Sequence, residues 1–80
     1  MNEEVTYGPL IPIPVYRLTE SNPDAILPPL PPPGWPLPQK GDKIYTLIQE
    51  EEFVHRVDGI QWEYGNPSRV VILVTQMWPR

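Results

Sequence analysis

KIYTLIQEEEFVHRVDGIQWEYGNPSRVVILVTQ, residues 43–76, is the one stretch that reads as regular structure from end to end. At its centre Asp58-Gly59 is a strong two-residue turn signal, because a type I′ turn needs φ > 0 at both central positions. With that turn as the loop, Val57 faces Ile60, His55 faces Trp62 and Phe53 faces Tyr64. The strand period of two then puts all six on one face. The other face carries Glu52, Val54 and Arg56 against Gln61 and Glu63, and is mostly polar. Both strands sort their residues alike, which favours this register. Beyond the loop Gly65-Asn66-Pro67-Ser68, placing Arg69 opposite Tyr64 sets Val71 against Trp62 and Leu73 against Ile60.

The last strand, Arg69–Gln76, is apolar on both sides, since Val70, Ile72 and Val74 alternate with Val71 and Leu73. A strand of that kind is normally covered on both faces. The expected cover is the leading half of the chain. Either Ile26, Leu27, Leu30, Trp35 and Leu37 fold back across it, or a strand over Ile11–Val15 does. If neither covers the Val70, Ile72 and Val74 face, the chain is expected to close it as a homo-oligomer.

Eleven of the thirteen prolines precede Gln39-Lys40-Gly41-Asp42, so the single 80-residue domain divides into a proline-rich arm (1–40) and an antiparallel β core (41–80). Residues 1–8 are expected to fray, with a short strand possible at Val5-Thr6-Tyr7. In Leu10–Leu18, Pro12 and Pro14 alternate with Ile11, Ile13 and Val15. Alternate amides of a strand point to opposite edges, so both missing donors fall on one edge, as an outward-blocked edge strand requires. The competing reading is a surface polyproline II segment. Thr19–Asp24 is a turn-rich loop, or else Ser21 or Asn22 caps one helical turn over Pro23–Leu27. PPLPPPGWPLP, residues 28–38, excludes helix and central strand, and fully extended as polyproline II it reaches roughly 34 Å. The remaining strands are Lys43–Gln49, Phe53–Val57 and Ile60–Tyr64.

Composition narrows the function. Six Lys and Arg against ten Asp and Glu give a net charge of −4, and the scattered cations offer no phosphate-neutralising cluster, so no nucleic-acid partner is expected. Phe53, Trp62 and Tyr64 could stack on bases only with a cationic groove around them. No apolar run approaches a membrane span and MNEEVT opens no signal peptide, so a cytoplasmic location away from membranes is expected. Cys is absent, which removes disulfides and thiolate chemistry. His55 is the only histidine and reads as the cross-strand partner of Trp62 rather than a general base. Ser21 and Ser68 sit in turns, and Glu50-Glu51-Glu52 points its carboxylates alternately to opposite faces. Neither a catalytic residue, a metal site nor a cofactor is expected.

Two resemblances remain. Leu27-Pro28-Pro29-Leu30-Pro31 resembles the LPPLP core that SH3, WW and EVH1 domains bind, although no flanking Arg or Lys accompanies it. Lys40-Gly41-Asp42-Lys43-Ile44-Tyr45 looks like the opening strand of many SH3-like barrels. The expectation is therefore an all-β domain, a small antiparallel meander or SH3-like partly open barrel of four to five strands, with an extended proline-rich arm. Its expected role is non-catalytic: an adaptor, assembly factor or subunit that binds another protein through Trp35, Tyr45, Trp62 and Trp78, with Leu27–Pro31 as a second candidate. The alternatives are a proline-rich ligand for an SH3- or WW-type domain, and an acidic inhibitor in which Glu50–Glu52, Glu63 and Asp58 imitate nucleic-acid phosphates.

Overall fold

The computed structural model describes residues 12–32 and 34–80. The expectations for residues 1–8 and for Leu10 and Ile11 lie outside them. Four strands form one sheet: β1 (Ile13–Leu18), β2 (Lys43–Ile48), β3 (Glu51–Glu63) and β4 (Arg69–Trp78). Their order is β1-β4-β3-β2, curled into a half-barrel, and the described residues contain no helix. The sheet is mixed rather than purely antiparallel. β2–β3 and β3–β4 are antiparallel, whereas β1 runs parallel to β4.

β1 is an edge strand for the reason its prolines suggest. Ile13 N–H donates to Ser68 O (3.0 Å) and Thr19 N–H to Val74 O (2.9 Å), so the odd-numbered amides turn toward β4. The even positions face outward, and Pro12 and Pro14 have no donor to offer there. Asn22 organises the following turn: its Oδ1 accepts from Asp24 N–H (2.9 Å) and its carbonyl from Ala25 N–H (3.1 Å). This side-chain turn takes the place of the single helical turn considered above.

Asp58-Gly59 is not a turn. β3 runs through it without a break, and the register with β4 shifts by one residue between Val57 and Gly59. Neither residue has a positive φ; the two-residue loop with φ > 0 at both positions is Gln49 (52°) and Glu50 (68°), closing β2 onto β3. The bulge explains why the facial sorting survives a wrong pairing. One extra residue resets the alternation, so Phe53, His55 and Val57 share a face with Ile60 and Trp62 within a single strand.

The β3–β4 register is also one residue from expectation. Glu63, not Tyr64, pairs with Arg69, and Trp62 pairs with Val70 and Gln61 with Val71. Ser68 lengthens the loop by bridging Gly65, accepting from its N–H and donating to its carbonyl (both 3.1 Å), while Glu63 and Arg69 form an ion pair. A one-residue slip exchanges faces. Val70, Ile72 and Val74 therefore lie with His55, Val57 and Ile60, and Val71 lies opposite with Val15 and Gln61. His55 stands across from Gln76 and Ile44 rather than Trp62.

Val57, Ile72 and Val74 form the core, with Tyr16, Leu18, Leu37, Ile44 and Ile60 packed against it. Val70, Ile72 and Val74 are buried, so the condition set for closing that face with a second copy is not met. The cover comes from β1 (Tyr16, Leu18) and Leu37. Leu30 and Trp35 stay mostly in solvent, while Ile26 and Leu27 are partly covered without joining the core cluster. Each fully buried Val or Ile contributes about 1.5–3 kcal/mol before conformational entropy is subtracted.

Candidate functional site

Between Ser21 and Pro38 the described chain has no strand, and it is held to the sheet at few points. The firmest is Ile26. Its N–H donates to Gln76 Oε1 (2.9 Å), and its carbonyl oxygen receives a hydrogen bond from His55 Nε2 (2.7 Å). A carbonyl only accepts, so the His55 proton sits on Nε2. Nδ1 is buried with no partner among the described residues. His55 is 0% exposed and thus a clamp on the chain. Gln76 completes it: its Nε2 donates to Pro79 O (2.6 Å) and its backbone N–H to Glu20 Oε1 (3.2 Å).

From Ala25, beside the clamp, burial follows a period of three. Ala25 and Pro31 are half-buried and Pro28 is buried, whereas Ile26, Leu27, Pro29, Leu30 and Pro32 are exposed. Three residues per turn is the period of polyproline II, in which positions i and i+3 form one ridge. The Pro28 ridge meets the protein. The ridges carrying Leu27 with Leu30 and Pro29 with Pro32 are exposed, with Pro29, Leu30 and Pro32 at the borders of open hollows beside the sheet. Leu27–Pro31 is thereby divided, and only part of the motif is spent on its own domain.

Two hollows flank the arm. One of about 540 Å³ lies between it and β2, lined by Leu30, Trp35, Leu37, Ile44, Tyr45 and Thr46 among others. The other, about 450 Å³, is bounded by Pro12, Pro14, Pro32, Trp35, Trp62 and Val70. Trp35 borders both and is 67% exposed. Of the four aromatic candidates, Trp35 and Trp62 therefore gather beside the arm, and Tyr45 reaches only the rim of the first hollow. Trp78 lines neither hollow. It pairs with Val54, which pairs with Tyr45, so exposed Trp78 and Tyr45 flank a half-buried Val54 on the sheet's other face.

The acidic candidates do not form one surface. Asp58 Oδ2 accepts from Thr75 Oγ1 (2.5 Å) and Thr19 Oγ1 (2.8 Å), and Oδ1 from Arg56 Nε (2.8 Å). The Thr75 bond is the largest cause holding its carboxyl below the usual range; partial desolvation opposes it and Arg56 and Thr19 reinforce it. Glu63 is likewise held down, first by its bond from Arg69, with Gln61 and the charge of Arg17 adding to it against desolvation. Both carboxylates are satisfied internally, which leaves Glu50-Glu51-Glu52 at the β2–β3 turn. No group of His, Asp and Glu among the described residues could hold a metal ion, and no described helix is long and apolar enough to cross a membrane.

The chain matches no protein-family model, no curated protein and no solved structure.

Sequence reasoning missed three participants. Gln76 carries no signal, since a polar residue at the end of a strand is ordinary. The Ile26 backbone is invisible to any side-chain motif. Thr46 reads as a routine strand residue, yet its Oγ1 is buried without a partner among the described residues.

Proposed function

We propose that this chain is a non-catalytic protein-binding module, an adaptor, assembly factor or subunit of the cytoplasm, that offers its docked proline-rich arm to a partner domain with an aromatic groove. The observation that carries the reading is the three-residue period of burial over residues 25–32. A polyproline II ligand has three ridges, and here one is used for attachment while two remain for recognition. The Ile26 clamp fixes the arm before any partner arrives, so the ordering cost of binding is lowered. Trp35, and beyond it Trp62 and Tyr45, supply the large amphipathic side chains that commonly anchor interfaces.

The test is a titration of the ¹⁵N-labelled chain with SH3, WW and EVH1 domains. The expected result is chemical-shift change at Leu27, Leu30 and the Trp35 indole, with His55 and Val74 unmoved. Leu30→Ser should abolish it, and added salt should change it little, because the contact is apolar. Silence with every groove domain, together with pull-down partners indifferent to Leu30→Ser and Trp35→Ala, would overturn the reading. Binding that collapses steeply with salt would instead point to Glu50-Glu51-Glu52 and a basic partner.

A further inference from the structure

The two edges of the sheet are treated differently. β1 presents prolines outward, as described above. β2 contains none, and its sequence KIYTLI carries a single charge, Lys43. The direction of its backbone groups follows from one bond: Val57 N–H donates to Asp42 O (2.8 Å), and Asp42 continues the register that pairs Ile44 with His55 and Thr46 with Phe53. In an antiparallel ladder the bonded residues alternate. Ile44, Thr46 and Ile48 therefore turn their N–H and C=O toward β3. Lys43, Tyr45 and Leu47 turn theirs outward, where no described backbone group bonds to them; the arm lies across a hollow from Tyr45 and Thr46, and Leu47 stands beyond that hollow. Tyr45 and Leu47 are also exposed in their side chains. An unprotected edge of this kind is a template for another strand.

We infer that the occupant is a second copy of this chain, pairing β2 to β2 antiparallel about a two-fold axis through Thr46. The register follows from the residues. Directly opposed residues of an antiparallel pair share a face, so a two-fold pairing that preserves the faces centres on one residue. Centring on Tyr45 sets Thr46 against the partner's Ile44 and leaves the hydroxyl beside an apolar side chain. Centring on Thr46 sets Tyr45 against the partner's Leu47, Ile44 against the partner's Ile48, and Thr46 against its own equivalent. A change of χ1 rotamer carries each Thr46 hydroxyl to the axis, where each is donor to or acceptor from the other. This supplies the partner that Thr46 Oγ1 lacks among the described residues. The outward groups of Tyr45 and Leu47 then form two closely bonded pairs, four hydrogen bonds in all, flanking a non-bonded Thr46 pair. On the other face the row Trp78–Val54–Tyr45 is continued by the partner's Leu47.

This pairing uses the outward backbone of β2 rather than the ridges of the arm; Tyr45 borders both surfaces, whereas Leu47 lines neither hollow, so Leu47→Lys is the variant that separates the two. Sedimentation equilibrium over a micromolar-to-millimolar range should show twice the 9.2 kDa chain mass at the upper end. Tyr45→Pro removes an outward donor and spares the β2–β3 ladder, so it should sediment as a monomer with an unchanged β-sheet circular dichroism spectrum. Leu47→Lys serves the same purpose if the proline variant fails to fold. The register has its own readout, because the described chain has no cysteine. Thr46→Cys should cross-link to dimers on mild oxidation, since a non-bonded antiparallel pair brings Cβ atoms close enough for a disulfide. Ile48→Cys should not. A wild-type monomer throughout, a dimer that persists in both edge variants, or cross-linking through Ile48→Cys in place of Thr46→Cys would overturn the inference.

Discussion

At Asp58 a single carboxylate joins the bulge of β3 to Thr75 on β4 and to Thr19 just past β1, with Arg56 on its other oxygen. Asp58→Ala should cost about 1–2 kcal/mol in urea unfolding at neutral pH, because two hydroxyls and a guanidinium lose their acceptor. The sign of the pH dependence follows from its depressed ionisation. The folded form holds the proton less tightly than the unfolded form. The charged carboxylate therefore stabilises the fold above the unfolded value near pH 4, and that contribution is lost as pH falls through the lower folded value. Wild-type melting temperature should drop more steeply than that of Asp58→Asn on acidification below about pH 4. His55 allows a second experiment at this scale. His55→Leu leaves the Ile26 carbonyl without its donor; the variant should lose about 1–3 kcal/mol and show faster amide exchange at Ile26. If protection at Ile26 is unchanged, the clamp is not what holds the arm.

The β2–β3 hairpin turns on two residues poorly suited to their backbone. Gln49 and Glu50 both sit at positive φ, where asparagine and glycine are at ease and longer side chains are strained. Replacing Gln49 with Asn and Glu50 with Gly should raise unfolding stability by about 1 kcal/mol, measured by chemical denaturation. This same hairpin shows where the sequence was legible. Alternation marked the inward residues from Phe53 to Ile60, because alternation records burial; it failed at Trp62 and Tyr64, which the structure leaves half and almost fully exposed. Pairing was not legible. Asp-Gly satisfies a tight turn and a bulge equally well by local chemistry, and what decides is the long-range hydrogen bonding of Asp58 to Thr19 and Thr75. The proline alternation at Pro12 and Pro14 was legible as an edge for the opposite reason: a missing donor is a local fact. It said nothing of which strand lay inside, nor that the pairing was parallel. Of the candidate site, the aromatic residues were readable by type, but the separation of Trp78 from Trp35 and Trp62 depends on sheet faces that no motif encodes.

Across the whole molecule, stability rests on a thin core. Val57, Ile72 and Val74 are closed over by β1 and by Leu37 from the far end of the arm, so distant parts of the chain share one set of contacts. Val70→Asp with Ile72→Asp places two unpaired charges where no water reaches. The double variant should unfold outright, since small domains hold only about 5 kcal/mol in reserve; collapse of amide dispersion in a ¹⁵N spectrum is the check. A variant that stayed folded and merely gained solubility would mean that this face is open in solution. The contrast between the two borders of the sheet has a further consequence for assembly. Filament growth needs every unit to offer two complementary rims, and here one rim is armoured by imino acids. A dimer closed through β2 would leave only the armoured rims, back to back on the outside. Association by this route would therefore end at the first addition, and the imino acids of one margin would keep the bare strand at the other from seeding a fibre.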